Sequence, residues 1–475
     1  VSWSRIERIE TIDQEENWVY DLEVAGSHSY VANNVLSHNS QLLQYIRHVS
    51  PRSVYTSGKG SSSAGLCVTG DTLIQTDSGL REIRDICEPE IPAAVDDETA
   101  FEKRLDLYTF DRDNGTLERR TSSHVWRMPE RACRRIETAH GKEIEASVNT
   151  PVLTCGENGL AWTEISDVVA GDYVAVPQYG DVERDSPPIE DYLEFTQEKV
   201  KLDAESLALI RDGLYDQFGD LRTAAGELDL SEDIIYSHLW NRHVPIETLD
   251  RILGAIDEDR EAIRIDRAML RHGDGIAIPE AFDEDLMYLI GLVFGDGDVS
   301  ISPRGGNRGR VRLSNGNEEL LRRAADIIED HFDKQVEIEY QEDRVPSIRV
   351  HSATIARFFH AVGMRTPKED LALDPPLTTA EHTDAFIRGL MDADGAVSVR
   401  TNGGSSVLIS TISRELARQL QLMLETFGIR ARRRERCGSR GCTHAGRDGG
   451  RRHAHRWWRR GRREYHDRQL RTSGR

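Results

Sequence analysis

Lysine is nearly absent from this chain. Its 475 residues hold seven, against 54 arginines and 82 aspartates and glutamates, for a formal net charge of −21. A polyanion of this kind is repelled by nucleic-acid phosphates in dilute buffer, which excludes the usual basic DNA-binding protein. Molar salt removes that objection, because it shortens electrostatic reach to about 3 Å. High acid with little lysine is how a soluble protein stays hydrated in such salt, so the composition implies a halophile. The charge is also uneven. Residues 436–475 contain 13 arginines and three acidic residues, leaving −31 for residues 1–435. Cysteine is scarce too: the six, at 67, 87, 133, 155, 437 and 442, have no disulfide-framework spacing. No apolar run approaches the roughly 18 residues of a membrane span, and no signal peptide opens the chain. A cytoplasmic protein without a membrane is expected. Val1 stands where Met would begin a gene product, so a fragment is expected, with room for about three domains.

What is there centres on Ser40–Leu66, 27 residues that are too few to bury a core of their own. Leu36-Ser37-His38-Asn39 precede them and Cys67-Val68-Thr69-Gly70-Asp71 follow. Upstream, Trp18, Tyr20, Leu22 and Val24 alternate with mostly polar residues, which reads as a strand with one face buried and one exposed. Gly26-Ser27 turns the chain, and Ser29 to Val35 reads as a second strand. His-Asn before Ser resembles the C-terminal splicing junction of an intein, and the Cys67 segment resembles an N-terminal junction. The resemblance implies roles for each residue. Asn39 would cyclise onto its own peptide carbonyl, His38 would assist that break, and Ser40 would accept the acyl group. Cys67 would perform the N-to-S shift on the Leu66–Cys67 bond. Asp21 and His28 match assisting positions of similar inteins.

Ser40–Leu66 itself resembles the segment that follows the phosphate-binding loop of archaeal MCM replicative helicases. Ser40 would be the last hydroxyl of that loop, contacting ATP and its Mg²⁺ in a hexameric host only. Gly58-Lys59-Gly60-Ser61 is not a phosphate-binding loop, since the template requires Gly at 53 and Ser or Thr at 60, and the chain has Ser53 and Gly60.

Residues 67–180 read as short strands and turns, similar to the all-β Hint (horseshoe) splicing domain. The family's T-x-x-H element aligns with Ser147-Val148-Asn149-Thr150, so a threonine stands where the assisting histidine belongs. Residues 181–275 shift to helical periodicity. Thr223–Leu253 has a helix-turn-helix look, with Ala224, Leu228, Ile234 and Leu239 at core spacing and Ser231 as N-cap. Its second helix would offer Tyr236, His238, Asn241, Arg242 and His243 to DNA.

Residues 276–432 hold an internal repeat. Leu289-Ile290-Gly291-Leu292-Val293-Phe294-Gly295-Asp296-Gly297 recurs 98 residues later as Ile387-Arg388-Gly389-Leu390-Met391-Asp392-Ala393-Asp394-Gly395. Each copy is followed by a strand-turn-strand and a helix. Two such units resemble a LAGLIDADG homing endonuclease. Gly291, Gly295, Gly389 and Ala393 would let two helices approach along a pseudo-twofold axis. Each helix would deliver a carboxylate, Asp296 or Asp394, to the centre as ligands for Mg²⁺. Arg304, Arg308, Arg310, Arg312 and Arg400 would enter the major groove, and Lys368 is the candidate active-site lysine. From about Arg432 the pattern gives way to Arg, Gly and His, read as a basic low-complexity tail and possible frameshift product. Cys437, Cys442, His444, His453 and His455 have loose zinc-like spacing.

The sequence thus implies a multidomain chain: an all-β Hint splicing domain plus an α+β LAGLIDADG endonuclease with an αββα pseudo-twofold repeat, and a helical insertion between them. Residues 1–39 would end a first intein, 40–66 would be helicase, and 67–180 would begin a second intein. Residues 433–475 would form the tail. The expected partners are double-stranded DNA, namely the intein-free host gene, and the missing intein and helicase segments of a haloarchaeal-like MCM protein in a nucleoid-associated setting. The alternatives are a fragment of the ATP-driven helicase itself and a degenerate intein relic.

Overall fold

Strand partners settle what periodicity alone does not. The structure is a computed structural model. It describes residues 1–434 apart from 13–17, 25, 39–66, 96–98, 112–113, 130–131, 157–158, 180–181, 183, 239–242, 271–274, 303–307 and 400–404. The expectations for Asn39, Ser40, Lys59, Arg304, Asn241, Arg242, Arg400 and the tail's Cys437, Cys442 and histidines therefore fall outside the described residues. Residues 1–431 form one compact unit.

Residues 1–38 and 67–176 contribute to one 15-stranded antiparallel sheet. Ser2–Ile12 pairs with Cys133–Thr138 and with Tyr173–Val176. Trp18–Val24 lies between Thr116–Pro129 and the short strand Val68–Thr69, with Leu22 opposite Val125 and Tyr20 opposite Val68. On its other side Val68 faces Ala146. Cys67 is thus followed by a strand clamped between one partner from upstream of the 40–66 stretch and one from downstream. The sequence reading placed residues 1–39 and 67–180 in two different inteins; their strands pair as one sheet.

Two local expectations are corrected. Ser29–Val35 is not one strand but a hairpin, Ser29–Ala32 and Val35–His38, broken by Asn33 and Asn34 at φ of 47° and 57°. Asparagine tolerates this left-handed backbone, which a tight antiparallel turn requires. Trp18–Val24 is also not half-exposed, because Val19 and Asp21 on its second face are as buried as Tyr20 and Leu22. Val19 packs there with Cys67, Trp126, Met128 and Cys133.

The insertion is mixed rather than helical. Helices Ala204–Phe218, Leu221–Glu227 and Ile246–Ala255 pack on a four-stranded sheet that includes Lys199–Leu202 and Ile265–Met269. Ser231 Oγ accepts from Ile234 N at 3.3 Å as expected. The second helix of the helix-turn-helix reading, however, is a five-residue π-helical turn, Ile234–His238. Of its proposed DNA-reading side chains, Tyr236 is exposed.

The repeat folds twice on one plan. Helices Glu284–Asp296 and Thr383–Asp394 each run into a hairpin, Gly297–Ile301 with Gly309–Ser314 and Gly395–Val399 with Ser405–Ile409. Helices Glu318–Phe332 and Arg414–Thr426 follow. Asp283, Asn317 and Ser413 each accept a backbone N–H at a helix start, which satisfies donors that would otherwise be orphaned.

Arg414–Thr426 also ties the repeat to the large sheet. Arg418 donates to Asn33 Oδ1 at 3.0 Å and to the Asp71 carbonyl at 2.7 Å. Arg414 pairs with Glu143 at 2.8 Å. Glu425 accepts from Lys142 Nζ and Asn34 Nδ2 in a buried network, with Tyr179 donating to Asn34 Oδ1 at 3.0 Å. Burial lowers the Lys142 pKa and Glu425 pulls it back up.

Candidate functional site

The two central helices touch backbone to backbone. A Cβ placed on Gly291 would lie 2.1 Å from the Phe386 carbonyl oxygen, and one on Gly389 would lie 2.1 Å from that of Tyr288. Residues 288 and 386, like 291 and 389, are equivalents in the repeat, so the crossing is symmetric. One turn further on, a Cβ on Gly295 would lie 2.4 Å from Ala393 Cβ and 3.5 Å from Asp394 Oδ2. All four small residues singled out from the sequence therefore lie at the crossing. Asp296 and Asp394 are the last residues of their helices, and the Asp394 carboxylate lies against Gly295, the neighbour of Asp296. Asn315 Nδ2 donates to Asp296 Oδ2 at 2.7 Å. Asn315 follows the second strand of the first hairpin, and no pattern in the sequence marked it.

Lys368 Nζ donates to the Phe294 carbonyl at 3.1 Å and to that of Gly295. It thereby places a positive charge at the negative end of the helix that carries Asp296, where a cation stabilises. Tyr288 donates to Asp392 Oδ2 at 2.7 Å, with the Arg323 guanidinium 3.8 Å from its ring centroid. Burial and then this bond push the Tyr288 pKa up to about 12.

Beyond Asp296 the first hairpin and Ser347–Val350 form a three-stranded sheet with two unlike faces. Val311 and Leu313 point inward and are 3 % exposed. By strand alternation Arg308, Arg310 and Arg312 lie on the opposite face, with Arg349 paired across from Arg312. Arg310 reaches Asp298 at 3.2 Å. The second hairpin differs. Val397 and Val407, the equivalents of Val299 and Val311, are 71 % and 67 % exposed, against 7 % and 3 %. Helix Ala353–Ala361 packs on the strands of the first sheet.

Two carboxylates are few for a metal site, and among the described residues no group of three or more His, Cys, Asp or Glu converges on one point. The pair still fits Mg²⁺, which accepts one or two carboxylates and completes its shell with water and substrate phosphate oxygens. Both donors are hard oxygens at the ends of helix dipoles, where a cation is favoured.

The second constellation surrounds Cys67, which is fully buried. Its backbone N–H, part of the Leu66–Cys67 peptide, is 3.1 Å from Thr150 Oγ1 and 3.2 Å from Ser147 Oγ. Thr150 Oγ1 donates to the Cys67 carbonyl at 3.1 Å, and the two hydroxyls are 2.9 Å apart. The Ser147–Thr150 element thus lies where the motif's position in the sequence puts it. Thr150, however, meets the amide nitrogen as an acceptor, not as a proton donor. Cys67 Sγ is 3.6 Å from Met128 Sδ. Asp21 is buried and accepts from Leu22 N at 2.8 Å. Burial, then the Asp21 carboxylate, raises both the Tyr30 phenol and the Cys87 thiol well above their usual values. Nothing in the sequence pattern marks Tyr30. His38 lies at the end of its strand, edge-on to Trp162 at 4.9 Å between centroids and 6.3 Å from the His28 ring.

Comparison with known proteins bears on both regions. Residues 283–363 and 381–468 match the model of the LAGLIDADG-like domain, and residues 31–78 that of the MCM P-loop domain. The second LAGLIDADG match runs on past the boundary at 432. The chain is 30% identical over 176 residues to the replication factor C small subunit of Methanocaldococcus jannaschii, covering 35% of this chain and 9% of that protein. It is 22% identical over 391 residues to elongation factor 2 of Methanopyrus kandleri, covering 79% and 30%. It is 22% identical over 381 residues to reverse gyrase of Methanocaldococcus jannaschii, covering 77% and 21%. The chain spans less than a third of the length of these curated relatives. A solved structure of an I-DmoI variant with its target DNA in the presence of Mn aligns with a TM-score of 0.23 and 20% identity, over 31% of this chain and 78% of that one. No described helix is long and apolar enough to cross a membrane. Residues 283–363 and 381–468 are thus similar to a LAGLIDADG-like domain, and residues 31–78 to a fragment of an MCM P-loop domain.

Proposed function

We propose that this chain is an intein-type insertion element: a Mg²⁺-dependent homing endonuclease of residues 276–432 joined to a Hint-type splicing domain, set in a haloarchaeal MCM helicase. The observation that carries the endonuclease half is the symmetric crossing that brings Asp296 and Asp394 to the same end of two backbone-packed helices. The unrelated names of the curated relatives support an inserted element, since the shared stretch is a minor part of each. Asp296 and Asp394 would hold the cation, which when bound activates water and stabilises charge on the scissile phosphate. Lys368 fixes the helix end beneath Asp296, and Asn315 orients its carboxylate. The arginine face of the first hairpin takes phosphates and base edges of duplex DNA. The protein would work in the cytoplasm, at the nucleoid. ATP would belong to the complete, hexameric host helicase.

The test is cleavage. The 475-residue chain in high KCl with Mg²⁺ should cut a duplex bearing the host helicase gene without the insertion, and leave the interrupted gene intact. Asp296→Asn and Asp394→Asn should each abolish cutting while gel-shift binding persists. Cutting that survives either change would remove these aspartates as metal ligands. A second reading, an element that binds but has lost cutting, is favoured by one observation: the exposed valines of the second hairpin. Binding without cutting by the unchanged chain would decide for it.

A further inference from the structure

The few lysines of this chain are not scattered. Lys103 pairs with Glu90 at 2.7 Å, Lys142 with Glu425, and Lys368 with the carbonyls at the end of helix Glu284–Asp296. Lys199, Lys201 and Lys334 have no carboxylate within ion-pair distance among the described residues. All three lie around Arg267. Strand Lys199–Leu202 buries Val200 and Leu202 and exposes Lys199 and Lys201, so the two lysines share its outward face about 7 Å apart. On one side Lys201 lies opposite Arg267. On the other, Lys199 pairs with Pro245 and Val200 with Val244, and the next antiparallel step sets Lys201 opposite His243. His243, Lys201 and Arg267 thus form a row across three strands, at intervals of about 5 Å. Arg267 reaches Asp333 at 2.7 Å, and Lys334 is the next residue along the chain. Burial, then the charges of Arg267, Lys201 and Lys199, lowers the His243 pKa, so these cations face the ring. His243 Nε2 is enclosed and meets no hydrogen-bond partner among the described residues.

Like charges directly opposite each other destabilise a sheet. Lys201 has a guanidinium on one flank and an imidazole on the other, in a chain whose 82 aspartates and glutamates make a carboxylate neighbour the ordinary outcome. An anion settling over the row offsets that repulsion. The shape of the face selects which anion. Small ligands are held in concave pockets on a few converging groups, whereas these cations are spread over about 7 by 10 Å of exposed strand surface, which suits a run of phosphates. We propose that the outward face of this sheet is a second duplex-binding surface, at which Lys199, Lys201, Lys334 and Arg267 take backbone phosphates of DNA beyond the stretch held by the first hairpin. The inference extends the DNA-binding reading of the endonuclease and rests on it. Contacts to phosphate add affinity and fix orientation without adding sequence preference. The insertion's share of DNA binding is thereby placed on a sheet face, in place of the second helix expected of residues 223–253, where Ile234–His238 is a π-helical turn.

The experiment uses the full chain and a fluorescein-labelled duplex that carries the host helicase gene without the insertion, flanked on both sides by unrelated sequence. Divalent cations are left out, so that binding is read without cutting. Anisotropy over a series of KCl concentrations gives the slope of log K against log salt. Lys199→Gln together with Lys201→Gln should lower that slope by about two units, so that a fourfold rise in KCl costs the variant about tenfold less affinity than it costs the unchanged chain. Lys103→Gln, which removes a lysine from the large sheet, should leave the slope as it was. Both replaced lysines are exposed and their loss relieves like-charge repulsion, so the melting temperature should not fall. Trimming the unrelated flanks should bring the slope of the unchanged chain down to that of the double variant. An unchanged slope in the double variant, with Arg312→Ala still lowering it, would overturn the second surface and leave the endonuclease reading standing. Failure of the unchanged chain to bind the duplex at any KCl concentration would overturn both. Inorganic pyrophosphate at matched ionic strength is the remaining arm. If it raises the melting temperature of the unchanged chain but not of the double variant, while their duplex slopes agree, the face holds a small anion and the proposal falls.

Discussion

Gly291→Ala probes the crossing that places the two aspartates. The added methyl would sit 2.1 Å from the Phe386 carbonyl oxygen and 2.8 Å from Leu390 N. Both are backbone atoms, which cannot rotate away as a side chain can. Ordinary contact begins near 3.4 Å, so the helices must separate by on the order of 1 Å in an interior packed as tightly as a crystal. Overpacking of this kind costs about 1–3 kcal/mol, while alanine's helix propensity returns at most about 1 kcal/mol. The net loss corresponds to a fall of roughly 2–8 °C in the melting temperature of a domain of this size. Gly389→Ala should behave the same way, because its methyl meets the Tyr288 carbonyl at the same distance. Gly254→Ala is the control: it lies in a helix with nothing within 4 Å of its added methyl, and should be neutral or slightly stabilising. Differential scanning calorimetry reads the shifts. Unchanged melting in both Gly291→Ala and Gly389→Ala would refute the backbone contact. DNA cleavage should also fall in both, since Asp296 and Asp394 would be drawn apart.

Other consequences are checked independently. Glu425→Leu leaves the Lys142 ammonium buried without its partner and should destabilise by about 3–5 kcal/mol; Lys142→Met with Glu425→Leu should recover much of that, measured as a double-mutant cycle in urea. Tyr288 has its folded pKa raised to about 12 from an ordinary 10, so its contribution is intact below pH 10 and lost as pH climbs toward 12. Tyr288→Phe should flatten the stability profile across that window and leave its shape unchanged at pH 7–9. Arg312→Ala and Arg349→Ala, on the outward face of the three-stranded sheet that contains the first hairpin, should each lower the slope of log K against log salt for DNA by about one unit, read by fluorescence anisotropy.

The central crossing was legible because the glycines and aspartates repeat at a fixed spacing of 98 residues, and symmetry assigns the contact without any knowledge of the rest. The Ser147–Thr150 element was legible as a motif, and its hydroxyls do meet Cys67. What stayed hidden was pairing. Alternation shows that Trp18–Val24 is a strand, yet it says nothing about Val68 and Val125 as neighbours. The union of residues 1–38 with 67–176 therefore had no local signal. The break at Asn33-Asn34 did have one, since two consecutive asparagines between apolar runs mark a left-handed turn. The second helix of the insertion differed for the opposite reason: a helical pattern was present, and Ile234–His238 forms a π-helical turn instead of an α-helix. Lys368 was marked from resemblance alone, and its place on the carbonyls of Phe294 and Gly295 follows from a loop that no period describes.

The union of residues 1–38 with 67–176 in one sheet is the claim on which the surroundings of Cys67 depend. It is tested by placing a site-specific protease sequence between Ser57 and Gly58 in the Cys67→Ala chain, cutting it, and passing the product over a gel-filtration column in high KCl. Residues 1–57 and 58–475 should elute together as one species and separate only in denaturant. An N-terminal fragment that elutes alone under native conditions would contradict the union.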